Sequence, residues 1–355
     1  MKIIGSKSFA VVALVTTSLL LASCSSSQDS ASNKACLALD TGGVDDKSFN
    51  ASAWEGAQAT EADGVEVKYL AATSDADYAP NMKKLVDEGC TIVVGVGFLI
   101  NGATVEAAKA YPDTKFAIVD QDGLDHGPAG DQYPGTVIPN LKGLTFATNQ
   151  AAFQAGYLAA GYSKTGKVAT YGGIPIPPVT IFMDGFARGV DYYNKQNGKS
   201  VKVLGWDTAK SDGVFVGGFS DQAKALQLSK NFEQQGADVI FPVAGGLGAA
   251  TANQSMTSKK SVVIWVDTDG FIFAPQFASV ILTSVMKGIG TSVTAVIQDV
   301  IDGSFNSDQY VGTLENNGTL LAPYHDFESK VDSKLKEEVE ALGAAIIAGD
   351  VKVSK

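Results

Sequence analysis

From residue 35 onward the chain alternates short β-branched runs with amphipathic stretches. Apolar runs at 36–40, 66–71, 91–97, 115–120, 143–147, 167–172, 201–206, 238–243, 261–266 and 309–314 read as strands. Between them, 50–63, 79–89, 103–110, 149–163, 179–196, 219–235, 285–302 and 330–348 carry helical spacing. Such alternation, with strands apolar on both faces, predicts parallel sheets covered by helices on both sides. About ten strands are more than one sheet of this chain needs. The pattern therefore predicts an α/β protein of two doubly wound lobes.

The strand ends carry the chemistry. Ligands of open parallel sheets sit outside the carboxyl ends of the strands. Several predicted strands end in acids, glycines or rings: Asp40-Thr41-Gly42-Gly43, Val96-Gly97-Phe98, Val119-Asp120, Val243-Ala244-Gly245-Gly246 and Trp265-Val266-Asp267-Thr268-Asp269. Two such sheets facing each other would line a cleft with carboxylates, backbone amides and aromatic rings. That is the construction of a clamshell that closes on a small ligand.

The first residues follow a different pattern. Lys2 and Lys7 precede a weakly polar to apolar run from Phe9 to Ala22. This reads as a secretory signal over 1–23, too short for a comfortable membrane span. Leu21-Ala22-Ser23-Cys24 is similar to a bacterial lipobox, which makes Cys24 the lipidated first residue of the mature chain. The polar stretch that follows is read as a flexible tether over 24–34. The remainder is expected outside the cytoplasmic membrane and anchored to it.

Composition narrows the function. The 355 residues contain 27 Lys+Arg against 38 Asp+Glu, a formal charge of −11. An acidic chain is repelled by phosphodiester backbones, so nucleic-acid polymers are poor partners. Two histidines and three cysteines cannot build a zinc cluster and leave little material for histidine chemistry. With Cys24 lipidated, Cys36 and Cys90 remain, each opening a predicted strand. In a sheet ordered 2-1-3 those strands are neighbours, so a disulfide is geometrically accessible in an exported protein. Two buried free thiols is the reading preferred here.

Catalytic motifs are sparse. The Gly-x-x-x-x-Gly-Lys-Ser/Thr loop of nucleoside triphosphatases does not occur. No Gly-x-Ser-x-Gly elbow appears, and His126 and His325 have no evident nucleophile beside them. Gly245-Gly246-Leu247-Gly248 is a poor dinucleotide fingerprint but a reasonable place for backbone to approach a ligand. Asp45-Asp46 most simply caps a helix beginning near Ser48. Asp267-x-Asp269 lacks a surrounding calcium-type loop. No metal, cofactor or catalytic residue is assigned.

Asp40-Thr41-Gly42-Gly43-Val44-Asp45-Asp46-Lys47-Ser48-Phe49-Asn50, followed by Ala53-Trp54-Glu55-Gly56, resembles the opening motif of the basic-membrane-protein family. These are substrate-binding lipoproteins of ABC importers, many of which bind purine nucleosides. The resemblance runs on through Tyr78-x-Pro80-Asn81, Tyr111-Pro112-Asp113, Phe153-x-Ala155-Gly156-Tyr157, Gly218-Phe219-Ser220-Asp221, Ala244-Gly245-Gly246 and Leu282-Thr283-Ser284-Val285-x-Lys287. It covers 36 to about 290. The chain departs from the family at Trp265, where glycine is usual, and at Gly270, where glutamine is common. Residues 173–181 are unusually rich in Pro and Ile, and Asn149 stands where acids are frequent.

The resemblance implies the type I periplasmic-binding fold, with three segments crossing between the lobes near 143–148, 267–280 and 303–309. It places 35–146 plus 270–306 in the N-terminal lobe and 147–269 plus 307–355 in the C-terminal lobe. It implies capture of a nucleoside by hinge closure, with a permease and an ATPase as partners in trans. Phe49 and Phe219 match positions whose rings sandwich the base. Asp40, assisted by Asn50, would meet the base edge, with Asp120 and Asn149 in the same shell. Asp267, Lys287 and the backbone at Gly245 would hold the ribose, or Asp267 and Lys287 would form a hinge ion pair. A sugar-binding protein of the same fold is the first rival. A secreted calcium-dependent nucleoside hydrolase using Asp40, Asp45 and Asp46 is the second.

Overall fold

The computed structural model describes residues 33–127 and 134–354. The leader, Cys24 and most of the tether lie outside them. Lys34 is not tether: it opens the first strand and pairs with Glu66 at 2.9 Å. Among the described residues no helix is long and apolar enough to cross a membrane.

The first half of the chain winds β1 (Lys34–Thr41), α1 (Phe49–Gln58), β2 (Glu66–Ala72), α2 (Tyr78–Asp87), β3 (Ile92–Val96), α3 (Asn101–Ala110) and β4 (Lys115–Val119). A small antiparallel pair, β5 (Leu124–Asp125) and β6 (Thr136–Val137), precedes β7 (Leu141–Phe146). The chain then crosses to α4 (Asn149–Tyr162), β8 (Lys167–Gly172), α5 (Pro177–Asn197) and β9 (Lys202–Leu204). A second small pair, β10 (Trp206–Asp207) and β11 (Asp212–Gly213), leads to α6 (Gln222–Gln234), β12 (Val239–Val243), α7 (Gly248–Ser258), β13 (Val262–Asp267), α8 (Gly270–Phe273) and β14 (Ile281–Lys287). α9 (Ile289–Ile301) and β15 (Tyr310–Gly312) return to the first lobe, and β16 (Thr319–Leu321) and α10 (Ser333–Ile347) to the second.

Two six-stranded sheets result, ordered β15-β7-β4-β3-β1-β2 and β16-β14-β13-β12-β8-β9. Period-two alternation divides each core. In β1, Leu37 and Leu39 join Ala53 and Ala57 of α1 and Val293 and Ile297 of α9. Cys36 and Ala38 face the other way, towards Met82 and Leu85 of α2. With both faces covered, β3 and β12 are buried at every residue, as the continuous apolar runs require. The expected type I periplasmic-binding fold is the fold observed.

Several boundaries move. The crossings fall at 147–148, at Gly288 and at 313–318, so the second and third lie later than expected. Residues 270–287, expected in the N-terminal lobe, belong to the C-terminal one, because β14 pairs with β13. Residues 310–312, expected in the C-terminal lobe, form β15 beside β7 in the N-terminal one. The start of the predicted helix 285–302 is strand. Nearly all of β14 is buried and only Gly288 separates it from α9, so its apolar residues merge with the helical pattern that follows.

The preference for two free thiols is also corrected. Cys36 and Cys90 form a disulfide, with Cα atoms 5.9 Å apart. It fastens β1 to the turn that enters β3.

Candidate functional site

The carboxyl ends of both sheets enclose one cavity of about 420 Å³. It is lined by Asp40, Phe49, Asn50, Asp120, Phe219, Gly245, Asp267 and Lys287 among others. Asn149 is absent from that lining. It is the first residue of α4, and its backbone packs against Gly185 of α5 instead.

Asp40, the last residue but one of β1, lies deep in the first-lobe wall, 8% exposed. Gly97 makes room for it: at φ 120° its backbone suits glycine, and a Cβ there would stand 2.1 Å from Asp40 Oδ2. Asn50 Nδ2 donates to Asp40 Oδ1 at 3.3 Å. Burial pushes the Asp40 carboxyl up to about 8, against the Asn50 hydrogen bond and with the help of Asp46 and Asp120. Near neutral pH it therefore holds a proton and can both donate and accept. Asn50 Oδ1 is buried and has no hydrogen-bond partner.

The expectation that Asp45-Asp46 caps a helix resolves onto Asp46. Its carboxylate accepts from the backbone N–H of Ser48, Asn50 and Ala51. This holds the first turn of α1, and with it Phe49 and Asn50, against the cavity.

Lys287 comes from the end of β14. Its ammonium lies 2.5 and 2.7 Å from the two carboxylate oxygens of Asp120, and both side chains are buried. The rings of Phe49, Phe146 and Phe182 surround it, with centroids 5.0, 5.4 and 5.6 Å from Nζ. Burial pushes the Asp120 carboxyl up, with the ammonium opposing. The expected hinge pair of Lys287 with Asp267 is replaced by this one. Asp267 instead accepts from Ser48 Oγ at 2.8 Å. Its carboxyl is pushed up to about 6, first by burial, with Lys287 and the Ser48 hydrogen bond opposing.

The second lobe supplies Phe219 and the backbone of Gly245 and Gly246, then a group the sequence reading missed: Ile176, Pro178, Val179 and Phe182. Its only signal was the unusual Pro and Ile content of 173–181. Ser48 and Trp265 were also missed as contributors, because their roles depend on how the lobes meet.

Both histidines sit outside the lining. His126 Nε2 is 2.8 Å from Asp122, and His325 Nε2 is 2.7 Å from Asp269 with its ring stacked on Phe271. Among the described residues no three His, Cys, Asp or Glu side chains are grouped to hold a metal ion. The cavity thus offers carboxyl and amide groups, a buried ammonium–carboxylate pair and aromatic rings on one lining. Such a surface suits a neutral ligand with a flat ring and several hydroxyl or N–H groups.

A family model described as ABC transporter substrate-binding protein PnrA-like, Bmp, matches residues 34–347. The chain is 31% identical over 339 residues to the ABC transporter nucleoside-binding protein BmpA of Lactococcus lactis, covering 90% of this chain and 88% of that one. It is 29% identical over 295 residues to an uncharacterised lipoprotein of Pyrococcus abyssi, covering 80% and 68%. A solved ABC transporter solute-binding protein from Aeropyrum pernix superposes with a TM-score of 0.78 at 24% identity, covering 90% of this chain and 92% of that one. This last likeness speaks to the fold.

Proposed function

Because the chain belongs to the Bmp family of PnrA-like ABC transporter substrate-binding proteins, we propose that it captures a nucleoside, with a purine base, between its lobes and presents it to a permease and ATPase in trans. The observation that carries this reading is the gathering of Phe49, Phe219, Asp40, Asn50, Asp267 and Lys287 around one cavity. The nucleoside-binding relative from Lactococcus supports it. The base would stack between Phe49 and Phe219 and present its polar edge to Asp40 and Asn50. Asp267 and the Lys287–Asp120 pair would meet the ribose hydroxyls, with Gly245 letting backbone approach the sugar. Lobe closure would follow from ligand contacts on both sides of the cleft.

The test is a calorimetric panel of guanosine, inosine, adenosine, uridine, hypoxanthine and several sugars. A purine nucleoside should bind tightest, and its free base at least tenfold more weakly, since the ribose partners would be left unpaired. Equal affinity for base and nucleoside, or tighter binding of a sugar, overturns the reading. Recovery of intact nucleoside after incubation with calcium separates capture from hydrolysis. Lipidation at Cys24 would hold the protein on the outer face of the cytoplasmic membrane, in keeping with the lipoprotein name of the Pyrococcus relative. Cys24→Ala should then shift the protein from the membrane fraction to the soluble one.

A further inference from the structure

Residues 47 and 48 of the first lobe touch four consecutive residues of the second. The carbonyl of Lys47 accepts from Thr268 Oγ1 at 2.9 Å and from Trp265 Nε1 at 3.3 Å. Ser48 Oγ lies 2.8 Å from Asp267 Oδ2 and 3.1 Å from the carbonyl of Val266. None of these contacts needs a ligand. Lys47 adopts φ 58°, the left-handed region that disfavours a residue with a Cβ. The turn is thus held in an uphill conformation in which its carbonyl meets two donors from the facing lobe.

The donors are built in. Trp265 is 1% exposed and Thr268 3%. The indole is admitted by Gly270, where a Cβ would stand 2.5 Å from Trp265 Cγ. Gly270 and Trp265 are therefore matched: the indole occupies the space that a side chain at 270 would need.

We propose that Trp265 and Thr268 form a closing latch on the Lys47 carbonyl. These positioning residues hold the two lobes together in the absence of ligand and thereby slow its release. A protein partly closed before binding needs less of the ligand's contact energy to complete closure. Neither donor has to touch the ligand for this to work, and Thr268 lies outside the cavity lining.

The test reads lobe closure directly and needs no knowledge of the ligand. Donor and acceptor dyes on exposed residues of the two lobes of the full chain report the closed fraction by single-molecule energy transfer. Thr268→Val keeps the shape and removes the donor. It should lower the closed-to-open ratio of the ligand-free protein about three- to tenfold, and Trp265→Phe about threefold. Thr268→Ser, which restores a hydroxyl, should return the ratio to near the wild-type value. Release of a bound nucleoside should quicken by the same factors. An unchanged closed fraction in Thr268→Val overturns the latch, and so does equal loss in Thr268→Val and Thr268→Ser. If Trp265→Phe fails to fold, the two Thr268 variants still decide. Failure of the nucleoside reading would appear as no binding by a protein whose closure is still latch-dependent.

Discussion

The two lobes share one strand order and divide the chemistry between them. Read from the outer edge, β2-β1-β3-β4-β7-β15 matches β9-β8-β12-β13-β14-β16 in order, although β15 runs parallel to β7 and β16 antiparallel to β14. Asp120 follows β4 and Asp267 ends β13, the matching strand, and both residues turn the chain at positive φ, 72° and 68°. What surrounds them differs. Asp120 faces the buried ammonium of Lys287, whereas Asp267 faces a neutral hydroxyl. Asp40 is the last residue but one of β1, and a helix capped by a carboxylate follows. β8 ends in Gly172, and its helix opens with Pro177 and Pro178, followed by Val179 and Phe182. A shared fold sets where side chains point. Which lobe grips polar edges and which lines apolar walls is left to the residues.

The largest test of that difference concerns the two carboxyls. Lys287→Met would strand Asp120 in a buried site without its cation, and loss of one partner of a buried pair costs about 3–5 kcal/mol. Unfolding in urea should show that loss, and the double variant Lys287→Met, Asp120→Asn should recover most of it without recovering ligand binding. Asp267→Asn, which keeps a hydrogen-bonding side chain beside Ser48, should cost markedly less. Equal destabilisation by Lys287→Met and Asp267→Asn would erase the asymmetry.

A second difference is covalent. Only the first lobe carries a disulfide among the described residues, closing a loop of 54 residues' separation between Cys36 and Cys90. Chain-entropy arguments give such a loop about 4 kcal/mol, with measured removals commonly costing about 2–5 kcal/mol. Cys36→Ala with Cys90→Ala should lower stability by that order. Hydrogen exchange should quicken first in β1, β2 and β3 rather than in β8 and β12. Uniform quickening across both sheets would mean that the lobes do not unfold separately.

What the sequence disclosed follows the range of the interactions involved. The alternation of strands and helices is local, and so is the placement of Asp40, Phe49 and Asn50 on a turn and the helix it opens. These were legible. The strand β14 was hidden because a buried strand and a buried helix present the same apolar run, with only Gly288 to part it from α9. The Cys36–Cys90 bond depends on the exact register of β1 against β3. The exchange of Lys287 from Asp267 to Asp120 depends on how two lobes meet. Asn149 opens α4 just past a crossing and is not among the residues lining the cavity, a placement that depends on how α4 packs against α5.

The third comparison sets one ring from each lobe against the other. Phe49 both borders the cavity and lies beneath the Lys287 ammonium, while Phe219 borders the cavity alone. Stacking on one aromatic ring contributes roughly 1–3 kcal/mol per base in single-strand nucleic-acid proteins. Phe49→Ala should weaken nucleoside binding towards the upper end of that range, and Phe219→Ala towards the lower. Calorimetry on both variants would count against the division if Phe219→Ala proved the more damaging.

The smallest effect, per unit of pH, isolates Asp40, which has no counterpart in the glycine that ends β8. Its folded carboxyl is raised from the ordinary value of 3.8 to about 8, so between those values the native state binds a proton that the unfolded chain has released. Stability must then fall as pH rises across that interval and level off above about 8, with a slope of at most about 1.4 kcal/mol per pH unit from this group. Asp267, raised to about 6, adds a term of the same sign that is complete near pH 6. The wild-type curve should therefore be steeper from pH 4 to 6 than from 6 to 8, and Asp40→Asn should lower both slopes alike, leaving the upper segment nearly flat. Urea denaturation at each pH unit from 4 to 9 resolves the two. Parallel curves for wild type and Asp40→Asn between pH 6 and 8 would place the proton on another group and return Asp40 to an ordinary ionised carboxylate.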